Sequence, residues 1–342
     1  MNDCLRGRLA GRNILVTGAD GFIGSHLVEA LVREGASVRA LVLYNSFNSL
    51  GWLDDVAPDL RREFEVVAGD VRDGDFVRRL VRGCEVVLHL AALISIPFSY
   101  LSPAAFVDTN VTGTLNVLQA AREAGVARVV CTSTSEVYGT AQYVPMDEAH
   151  PLGAQSPYAA SKIASDQMAL AFHRSFGTPV VVLRPFNTFG PRQSARALLP
   201  TIIVQIANGA REIRLGSLHP TRDFSFVADT VRAFLHAAVA EAGLGEVINT
   251  GSGCEISVGD AVQLIAELMQ VEVTPVREEA RVRPATSEVE RLYAGIAKAH
   301  VALGWTPRYA GRDGFARGLE ETIAWLRQPA NLDRYHAERY NI

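Results

Sequence analysis

The sequence predicts an α/β protein built on a doubly wound parallel sheet, followed by a smaller α/β C-terminal lobe. Short apolar runs alternate with segments of helical spacing through the first half of the chain. Because these runs are almost continuously apolar, they match strands that are buried on both faces of a parallel sheet. The 342 residues also exceed the size at which one core usually suffices. We therefore expect lobes over 1–184 and 185–330 and a tail over 331–342.

Apolar spacing and glycine positions predict the individual elements. We expect strands over 13–17, 37–43, 65–68, 86–90, 128–132 and 179–183, and helices over 22–34, 73–82, 103–124 and 157–176. Gly35 and Gly125 follow two of these helices, as glycine often does where a helix ends. After residue 184 the elements shorten. There we expect a strand near 247–249 that returns to the first sheet, a last helix over 308–327, and a loosely held polar segment from 328 onward.

Composition excludes several classes of protein. The formal charge of −4 argues against a dedicated nucleic-acid binder, and no apolar run reaches the ~18 residues of a membrane span. The first twelve residues contain no apolar signal-peptide core. The four cysteines, at positions 4, 84, 131 and 254, form no CxxC pair, which predicts reduced thiols in a cytoplasmic protein and no metal site. Two of the 33 basic residues are lysines, Lys162 and Lys298.

A glycine-rich turn follows the first strand. Gly18, Gly21 and Gly24 lie between the strand over 13–17 and the next helix. Glycine allows the backbone to turn tightly and approach a pyrophosphate, which the helix N-terminus then binds. The spacing is GxxGxxG instead of GxGxxG, but the strand before it and the helix after it predict a Rossmann-type dinucleotide-binding fold.

The choice of dinucleotide depends on the end of the second strand. An acid there usually binds the ribose 2′-hydroxyl and disfavours NADP. Here the chain reads Leu-Tyr-Asn-Ser over 43–46, with neither an acid nor an arginine. We expect NAD, with NADP not excluded. Asp70, after the third strand, either contacts the adenine or belongs to a helix cap near Asp73.

Tyrosine, lysine and a carboxylate supply candidate acid–base groups. Tyr158 and Lys162 lie one turn apart on one face of a predicted helix. An ammonium beside the phenol is expected to lower its pKa, so that the phenolate can take a proton from a sugar hydroxyl. Thr134, Ser135 and Glu136 follow the fifth strand, at the edge of the sheet where ligands bind. The alternatives are a surface pair for the first two residues and a solvated turn for the other three.

Several motifs in this order resemble the extended short-chain dehydrogenase/reductase family of nucleotide-sugar epimerases, dehydratases and decarboxylases. They are HLAA over 89–92, NVTGT over 110–114, TSTSEVYG over 132–139, RPFN over 184–187, TRDF over 221–224 and LGWTP over 303–307. The resemblance implies that the cofactor contacts Gly18, Gly21, Phe22, Ile23, Gly24, Asn45, Asp70, Val71, Leu90, Ala91, Ala92, Asn110, Lys162 and Pro185. It implies that the second lobe binds substrate, through Asn187, Arg222, Arg283 and, less directly, Arg192.

Within the family, the Thr-Ser-Glu triplet over 134–136 is similar to that of the 4,6-dehydratases. The segments over 44–52, 141–145 and 190–200 are similar to the dehydratase that starts legionaminic acid synthesis, which acts on a nucleotide-linked N-acetylglucosamine. The segment over 215–218, with the Arg-Asp pair at 222–223, is similar to GDP-mannose 4,6-dehydratase, although that enzyme's paired arginines after the second strand are missing. Ser135 stands where the dTDP-glucose enzymes have an aspartate.

The resemblance implies a reaction in which NAD takes a hydride from carbon 4 of a UDP- or GDP-linked hexose and returns it to carbon 6. Tyr158 would deprotonate the 4-hydroxyl, near which Thr134 would donate a hydrogen bond. Glu136 would deprotonate carbon 5, with Ser135 or Glu136 itself assisting the loss of water. A homodimer through the helices over 103–124 and 157–176 is also implied.

Three alternatives stay open at this point. A UDP-uronic acid decarboxylase needs a cation near the sugar carboxylate, a role available to Arg192. A 4-epimerase needs the tyrosine and the lysine but no acid at 136. A cofactor sensor without chemistry needs none of these groups.

Overall fold

A central sheet with helices on both faces organises the chain, as seen in a computed structural model that describes residues 7–336. Cys4 and the tail beyond 336 lie outside this range. The strands are β1 (Asn13–Thr17), β2 (Ser37–Leu43), β3 (Phe64–Gly69), β4 (Val86–His89), β5 (Arg128–Thr132), β6 (Val180–Pro185), β7 (Thr188–Phe189), β8 (Glu212–Leu215), β9 (Thr221–Asp223), β10 (Ser225–Phe226), β11 (Val247–Thr250), β12 (Glu255–Ser257) and β13 (Thr274–Arg277). The helices are α1 (Phe22–Arg33), α2 (Pro58–Arg61), α3 (Gly74–Val81), α4 (Ile96–Leu101), α5 (Pro103–Phe106), α6 (Gly113–Ala124), α7 (Pro157–Phe176), α8 (Leu198–Ala207), α9 (Val227–Val239), α10 (Val258–Met269), α11 (Ala297–Leu303), α12 (Gly311–Leu326) and α13 (Pro329–Leu332).

The large sheet has seven strands in the order β11-β6-β5-β4-β1-β2-β3, and every neighbouring pair is parallel. The chain winds outward from β1 in one direction to β3 and then returns through β4 in the other. Ligands of open parallel sheets bind at such a reversal, outside the carboxyl ends of the strands. The predicted Rossmann-type doubly wound sheet is therefore confirmed.

Two helical layers bury the sheet. Apolar side chains of α3, α6 and α7 form a core on one face, and those of α1, α8, α9, α10 and α12 form a larger core on the other. Strand β11 pairs with β6 at the edge of the large sheet. Part of the chain after residue 184 therefore returns to this sheet, as the sequence predicts. Three two-stranded sheets, β7 with β10, β8 with β13 and β9 with β12, complete the later part of the chain. The lobe boundaries at 184 and 330 stay a prediction.

Three elements differ from the predicted ones by more than a shift of one or two residues at an end. The helix over 103–124 contains a π-helical turn over Val107–Thr112. The last long helix begins at Gly311 instead of 308, because the Asp229 carboxylate accepts the N–H groups of Arg308 (2.8 Å) and Tyr309 (2.7 Å) outside the helix. The segment 328–336 is not loosely held. It forms α13, buries Tyr335, and pairs Arg334 with Asp55.

Residues 7–336 contain neither a membrane-spanning helix nor a cluster of metal-ligating side chains. None of the helices in that range is long and apolar enough to cross a bilayer. The same range contains no cluster of three or more His, Cys, Asp or Glu side chains placed to hold a metal ion. Its cysteines, Cys84, Cys131 and Cys254, are free thiols.

Candidate active site

A cavity of about 1070 Å³ opens at the carboxyl edge of the sheet. It lies beside the ends of the neighbouring strands β1 and β4, after which the chain continues toward opposite edges of the sheet. It brings together most of the residues that the sequence singled out. These are Gly18, Gly21, Phe22, Ile23, Gly24, Asp70, Val71, Leu90, Ala91, Ala92, Thr134, Glu136, Tyr158, Lys162, Pro185, Asn187, Arg192 and Arg283. Four predicted residues, Asn45, Asn110, Ser135 and Arg222, lie outside the cavity lining.

The glycine turn is built for close approach. Gly18 has φ +67°, and a Cβ there would lie 2.8 Å from the backbone nitrogen of Ala91. A Cβ on Gly24 would lie 2.1 Å from the carbonyl oxygen of Gly18. Gly21 precedes α1 at the N-cap position and has no side chain with which to cap it. The first turn of α1 therefore offers its backbone N–H groups to an anion in the cavity.

A buried hydrogen-bonded chain fixes the loop opposite the glycine turn. The Thr17 hydroxyl oxygen accepts the N–H groups of Leu90 and Ala91, both at 3.1 Å. It also lies 2.8 Å from His89 Nδ1, and His89 Nε2 lies 3.1 Å from the Thr114 hydroxyl. Burial, and then the nearby Lys162 ammonium, lower the pKa of His89 to about 3. The imidazole is therefore neutral and acts here as a connecting group.

Tyr158 and Lys162 sit on the first two turns of α7, which Ser156 caps by accepting the Ala159 N–H at 3.1 Å. Lys162 Nζ donates to the carbonyl oxygen of Thr132 at 2.5 Å. Burial raises the pKa of Tyr158, and a hydrogen bond with the Thr134 side chain only partly opposes this effect. The predicted lowering of the phenol pKa is therefore wrong, because burial disfavours the phenolate and raises the pKa.

The Thr-Ser-Glu triplet forms a short 3₁₀ helix over Ser135–Tyr138. Thr134 caps it by accepting the Glu136 N–H at 3.3 Å. Thr134 and Glu136 line the cavity, whereas Ser135 is 2% exposed and lies outside the lining. Of the two residues considered for assisting the loss of water, Glu136 is thus the one that faces the cavity.

A buried ion pair lies directly behind these groups, and sequence reasoning missed it. Arg184 Nη2 donates to Asp166 Oδ2 at 2.7 Å, and the Ser133 hydroxyl donates to the same oxygen at 2.5 Å. Arg184 also covers the Tyr138 ring at 4.6 Å. Asp166 follows Lys162 by one helical turn, and this spacing was the signal in the sequence that could have placed Asp166 on the same helical face.

Asn45 and Asn110 lie outside the cavity lining and use their side chains on neighbouring loops, so their contact with the cofactor stays a prediction. Asn110 accepts the Leu93 N–H at 2.8 Å and donates to the Leu93 carbonyl oxygen and to Ser161. It therefore ties a cavity loop to α7. The Asn45 amide donates to the Ser49 carbonyl oxygen at 2.8 Å and accepts the Ser49 N–H at 3.2 Å. Its polar atoms are used to shape the loop that follows β2.

Asp70 lines the cavity and holds Arg72 through a two-pronged contact of 2.5 and 2.9 Å. The hydrogen bond from Arg72 lowers the pKa of Asp70. The cap of α3 is Asp73, which accepts the Phe76 N–H at 3.0 Å, so the structure separates the two roles that the sequence left open. A further acid, Asp20, also lines the cavity.

Two predicted substrate residues have unused hydrogen-bonding capacity. Asn187 Oδ1 and Arg283 Nη1 are buried at the cavity without a hydrogen-bond partner among residues 7–336. Arg283 Nη1 lies 3.6 Å from Glu288, beyond hydrogen-bonding distance. Arg222 lies outside the lining and donates to Glu288 at 3.3 Å.

Arg192 has its partners within the protein. Its Nη2 donates to Glu29 at 2.6 Å and its Nη1 donates to Ser25 at 3.2 Å. The Arg192 and Glu29 side chains are each 12% exposed. The guanidinium thus joins the loop after β7 to α1.

Comparisons with known proteins identify the family of this chain. Residues 15–318 match the family described as GDP-mannose 4,6 dehydratase. A dTDP-glucose 4,6-dehydratase of Streptomyces niveus is 35% identical over 319 residues, which cover 92% of each chain. Among solved structures, a dTDP-glucose 4,6-dehydratase of Streptomyces venezuelae with NAD bound has a TM-score of 0.82 and 31% identity, covering 93% of this chain and 97% of the other. A UDP-glucose 4-epimerase of Thermotoga maritima with UDP-glucose has a TM-score of 0.83 and 29% identity, with coverage of 93% and 99%. The chain therefore belongs to the GDP-mannose 4,6-dehydratase family of extended short-chain dehydrogenases/reductases.

Proposed function

We propose that this protein dehydrates a nucleoside-diphosphate hexose to its 4-keto-6-deoxy product, with NAD as a recycled cofactor. One observation carries the proposal: Tyr158, Thr134 and Glu136 line the same cavity as the glycine turn. Tyr158, which can deprotonate a hydroxyl, and Glu136, a second base, therefore face the same cavity as the proposed dinucleotide site. A 4,6-dehydration needs both, since it removes one proton from an oxygen and another from a carbon.

The residues present fit a dinucleotide. The turn at Gly18 leaves a cradle that a Cβ would fill, and the uncapped first turn of α1 suits a pyrophosphate. Gly21, Phe22 and Ile23 would hold the phosphates, and Leu90 with Ala91 would form the facing wall. When bound, NAD supplies the oxidising power by accepting a hydride from the sugar and returning it later.

The chain's own side chains move the protons. Tyr158 takes the proton of the sugar 4-hydroxyl, oriented by its hydrogen bond with Thr134. Lys162, held by the Thr132 carbonyl oxygen, places a positive charge one turn from the phenol. Once carbon 4 is a ketone, the hydrogen on carbon 5 is acidic and Glu136 removes it. Protonated Glu136 then gives a proton to the leaving 6-hydroxyl, so that water is lost.

The two rival chemistries fit the site less well. A decarboxylase would use Arg192 for the sugar carboxylate, but that guanidinium is already paired with Glu29 and Ser25. A 4-epimerase has no use for an acid at 136, whereas Glu136 is only 7% exposed and faces the cavity. A carboxylate is costly to bury, so its placement there favours a chemical role.

For the sugar, we propose UDP- or GDP-linked N-acetylglucosamine or a related hexose. The support is the resemblance of the segments over 44–52 and 190–200 to the legionaminic acid pathway dehydratase. Asn187 and Arg283 are the proposed contacts for the diphosphate or ribose, because both keep unused donors or acceptors at the cavity.

The test is product mass after incubation with UDP-, GDP- and dTDP-linked glucose, N-acetylglucosamine, mannose and glucuronate. Dehydration removes one water, decarboxylation removes carbon dioxide, and epimerisation leaves the mass unchanged. Tyr158→Phe is expected to stop the reaction before any nicotinamide reduction. Glu136→Gln is expected to stop product formation while transient nicotinamide reduction is still seen by absorbance, and Ser135→Ala to keep forming product. Full dehydration by Glu136→Gln would refute the assignment of the base.

We further propose a cytoplasmic homodimer that is joined through α5, α6 and α7. The free thiols of Cys84, Cys131 and Cys254 suit a reducing compartment. Val107, on the π-helical turn before α6, is 52% exposed, so a partner that docks at this turn would bury an apolar side chain. Analytical ultracentrifugation of the wild type and of Val107→Glu measures the assembly, and an unchanged sedimentation coefficient would contradict this interface.

A further inference from the structure

The end of β2 is occupied by an acid that comes from another part of the chain. Asp20 Oδ2 accepts the N–H of Leu43, the last residue of β2, at 3.2 Å. The preceding residue, Ala19, donates its N–H to the Leu41 carbonyl oxygen at 3.0 Å. The glycine turn therefore continues the β1–β2 hydrogen-bond ladder and carries the Asp20 carboxylate to the place where β2 itself lacks an acid.

The backbone holds Asp20 firmly in this place. Its carbonyl oxygen accepts the Trp52 N–H at 3.0 Å. A Cβ on Gly51 would come within 2.5 Å of that same oxygen, so the turn at 51 packs directly on Asp20. The Asp20 carboxylate, Leu43 and Trp52 all line the cavity. An ionised carboxylate has several lone pairs, so Asp20 can accept from a ligand while it holds Leu43.

The charges around Asp20 make its position selective. Arg72 and Arg334 also line the cavity, and each is already paired with an acid, Arg72 with Asp70 and Arg334 with Asp55. The hydrogen-bond donor to the Asp20 side chain is a backbone amide instead of a cation. Within residues 7–336 no salt bridge compensates its negative charge, and burial raises its pKa. The Asp20 carboxylate would repel the ribose 2′-phosphate of NADP, whereas it would accept a hydrogen bond from the ribose 2′-hydroxyl of NAD.

We propose that Asp20 binds the adenosine ribose 2′-hydroxyl of the dinucleotide and thereby makes this chain select NAD over NADP. The inference rests on the proposed function for the presence of a dinucleotide. Asp20 in the glycine turn would then distinguish NAD from NADP, a role that an acid at the end of the second strand usually has.

The first arm of the test changes the ligand and keeps the wild-type chain. Isothermal titration calorimetry of the full-length protein, freed of any dinucleotide carried through purification, compares NAD⁺, NADP⁺ and 2′-deoxy-NAD⁺. We expect 2′-deoxy-NAD⁺ to bind about tenfold more weakly than NAD⁺ or worse, as for a lost hydrogen bond to a charged group, and NADP⁺ to bind more weakly still. Equal binding of NAD⁺ and 2′-deoxy-NAD⁺ would overturn the inference. This arm decides the matter even if a variant fails to fold.

The second arm changes the residue. Asp20→Asn keeps an oxygen for the Leu43 N–H but removes the charge. We expect the ratio of NAD⁺ to NADP⁺ affinity to fall by about tenfold or more, as for a lost charged hydrogen bond. The matched variant Glu136→Gln also removes a cavity carboxylate, but beside Thr134 and Tyr158 and without freeing an arginine from an ion pair, so we expect no such fall in the ratio. If Asp20→Asn weakens both dinucleotides equally, Asp20 is only structural and the inference fails while the proposed function stands. If the wild type binds no dinucleotide, the proposed function fails as well.

Discussion

The ion pair behind the site allows a sharp prediction about stability. The Arg184 and Asp166 side chains are 1% and 2% exposed, with 2.7 Å between nitrogen and oxygen. Removing one partner of a buried pair leaves a charge without compensation, which costs about 3–5 kcal/mol of unfolding free energy. We expect this loss for Asp166→Asn, which keeps an acceptor for Ser133 but leaves the Arg184 charge unpaired. Arg184→Met should lose a similar amount, since Asp166 is then the unpaired charge.

Urea unfolding followed by tryptophan fluorescence measures these losses, and a double-mutant cycle isolates their coupling. The double variant Asp166→Asn/Arg184→Met should be less destabilised than the sum of the single variants by about 2 kcal/mol or more, because neither charge is then buried alone. Glu65→Gln is the matched control. Glu65 pairs with Arg39 at the same 2.7 Å, but the Arg39 and Glu65 side chains are 31% and 58% exposed, so the expected loss is below about 1 kcal/mol. Additive single effects, or equal losses for the buried and the exposed pair, would refute the reasoning.

Two further predictions concern groups around Tyr158, the proposed catalytic tyrosine. Lys162→Arg should lower kcat by about 100-fold or more, because a planar guanidinium does not fit the buried contact with Thr132. Lys298→Arg should leave kcat unchanged, because Lys298 pairs with Glu246 at the surface. Steady-state kinetics measures both variants, and equal activity of Lys162→Arg and the wild type would contradict this prediction. Since the pKa of His89 is lowered from 6.5 to about 3, the unfolded chain takes up a proton in this interval and the folded chain does not. Its contribution to stability is complete above pH 6.5 and is lost as the pH falls toward 3, by about 1.4 kcal/mol per pH unit. His89→Gln should remove that slope in urea unfolding at about pH 7 and about pH 5, and a wild-type slope in the variant would contradict the assignment.

Local sequence signals predicted the elements that carry the site. Strand β1 and helix α7 have the predicted bounds, because apolar runs and the capping residues around them act over a few positions. The placement of Tyr158 and Lys162 on one helical face follows from the helical period alone. Their presence in one cavity with the glycine turn follows from parallel topology, which brings all the carboxyl ends of the strands to one edge.

Long-range contacts decided what the sequence did not predict. The pKa of Tyr158 is raised because tertiary packing buries the phenol, with Phe106 against its ring at 6.2 Å, and helical spacing carries no information on burial. Arg192 looked available for substrate because its partner Glu29 is 163 positions away in sequence. The sequence did not single out Asp20, because its contact with Leu43 requires the docking of the glycine turn on β2.

The raised pKa of Tyr158 also bears on why this chain retains a lysine at position 162. A buried phenol with a raised pKa stays protonated until positive charge stabilises the phenolate, so the site needs a cation that is close but compact. The Lys162 ammonium uses one donor on the Thr132 carbonyl oxygen and has two further N–H groups beside a cavity that it lines itself. An arginine would stay charged, but its charge would be spread over a larger, planar group. It would also bring five N–H donors to a position where the Thr132 carbonyl oxygen accepts one. The retained lysine therefore follows from the burial that raises the tyrosine pKa. A bound oxidised nicotinamide would add a second positive charge to the site, so we expect Tyr158 to transfer a proton only in the enzyme that holds the dinucleotide.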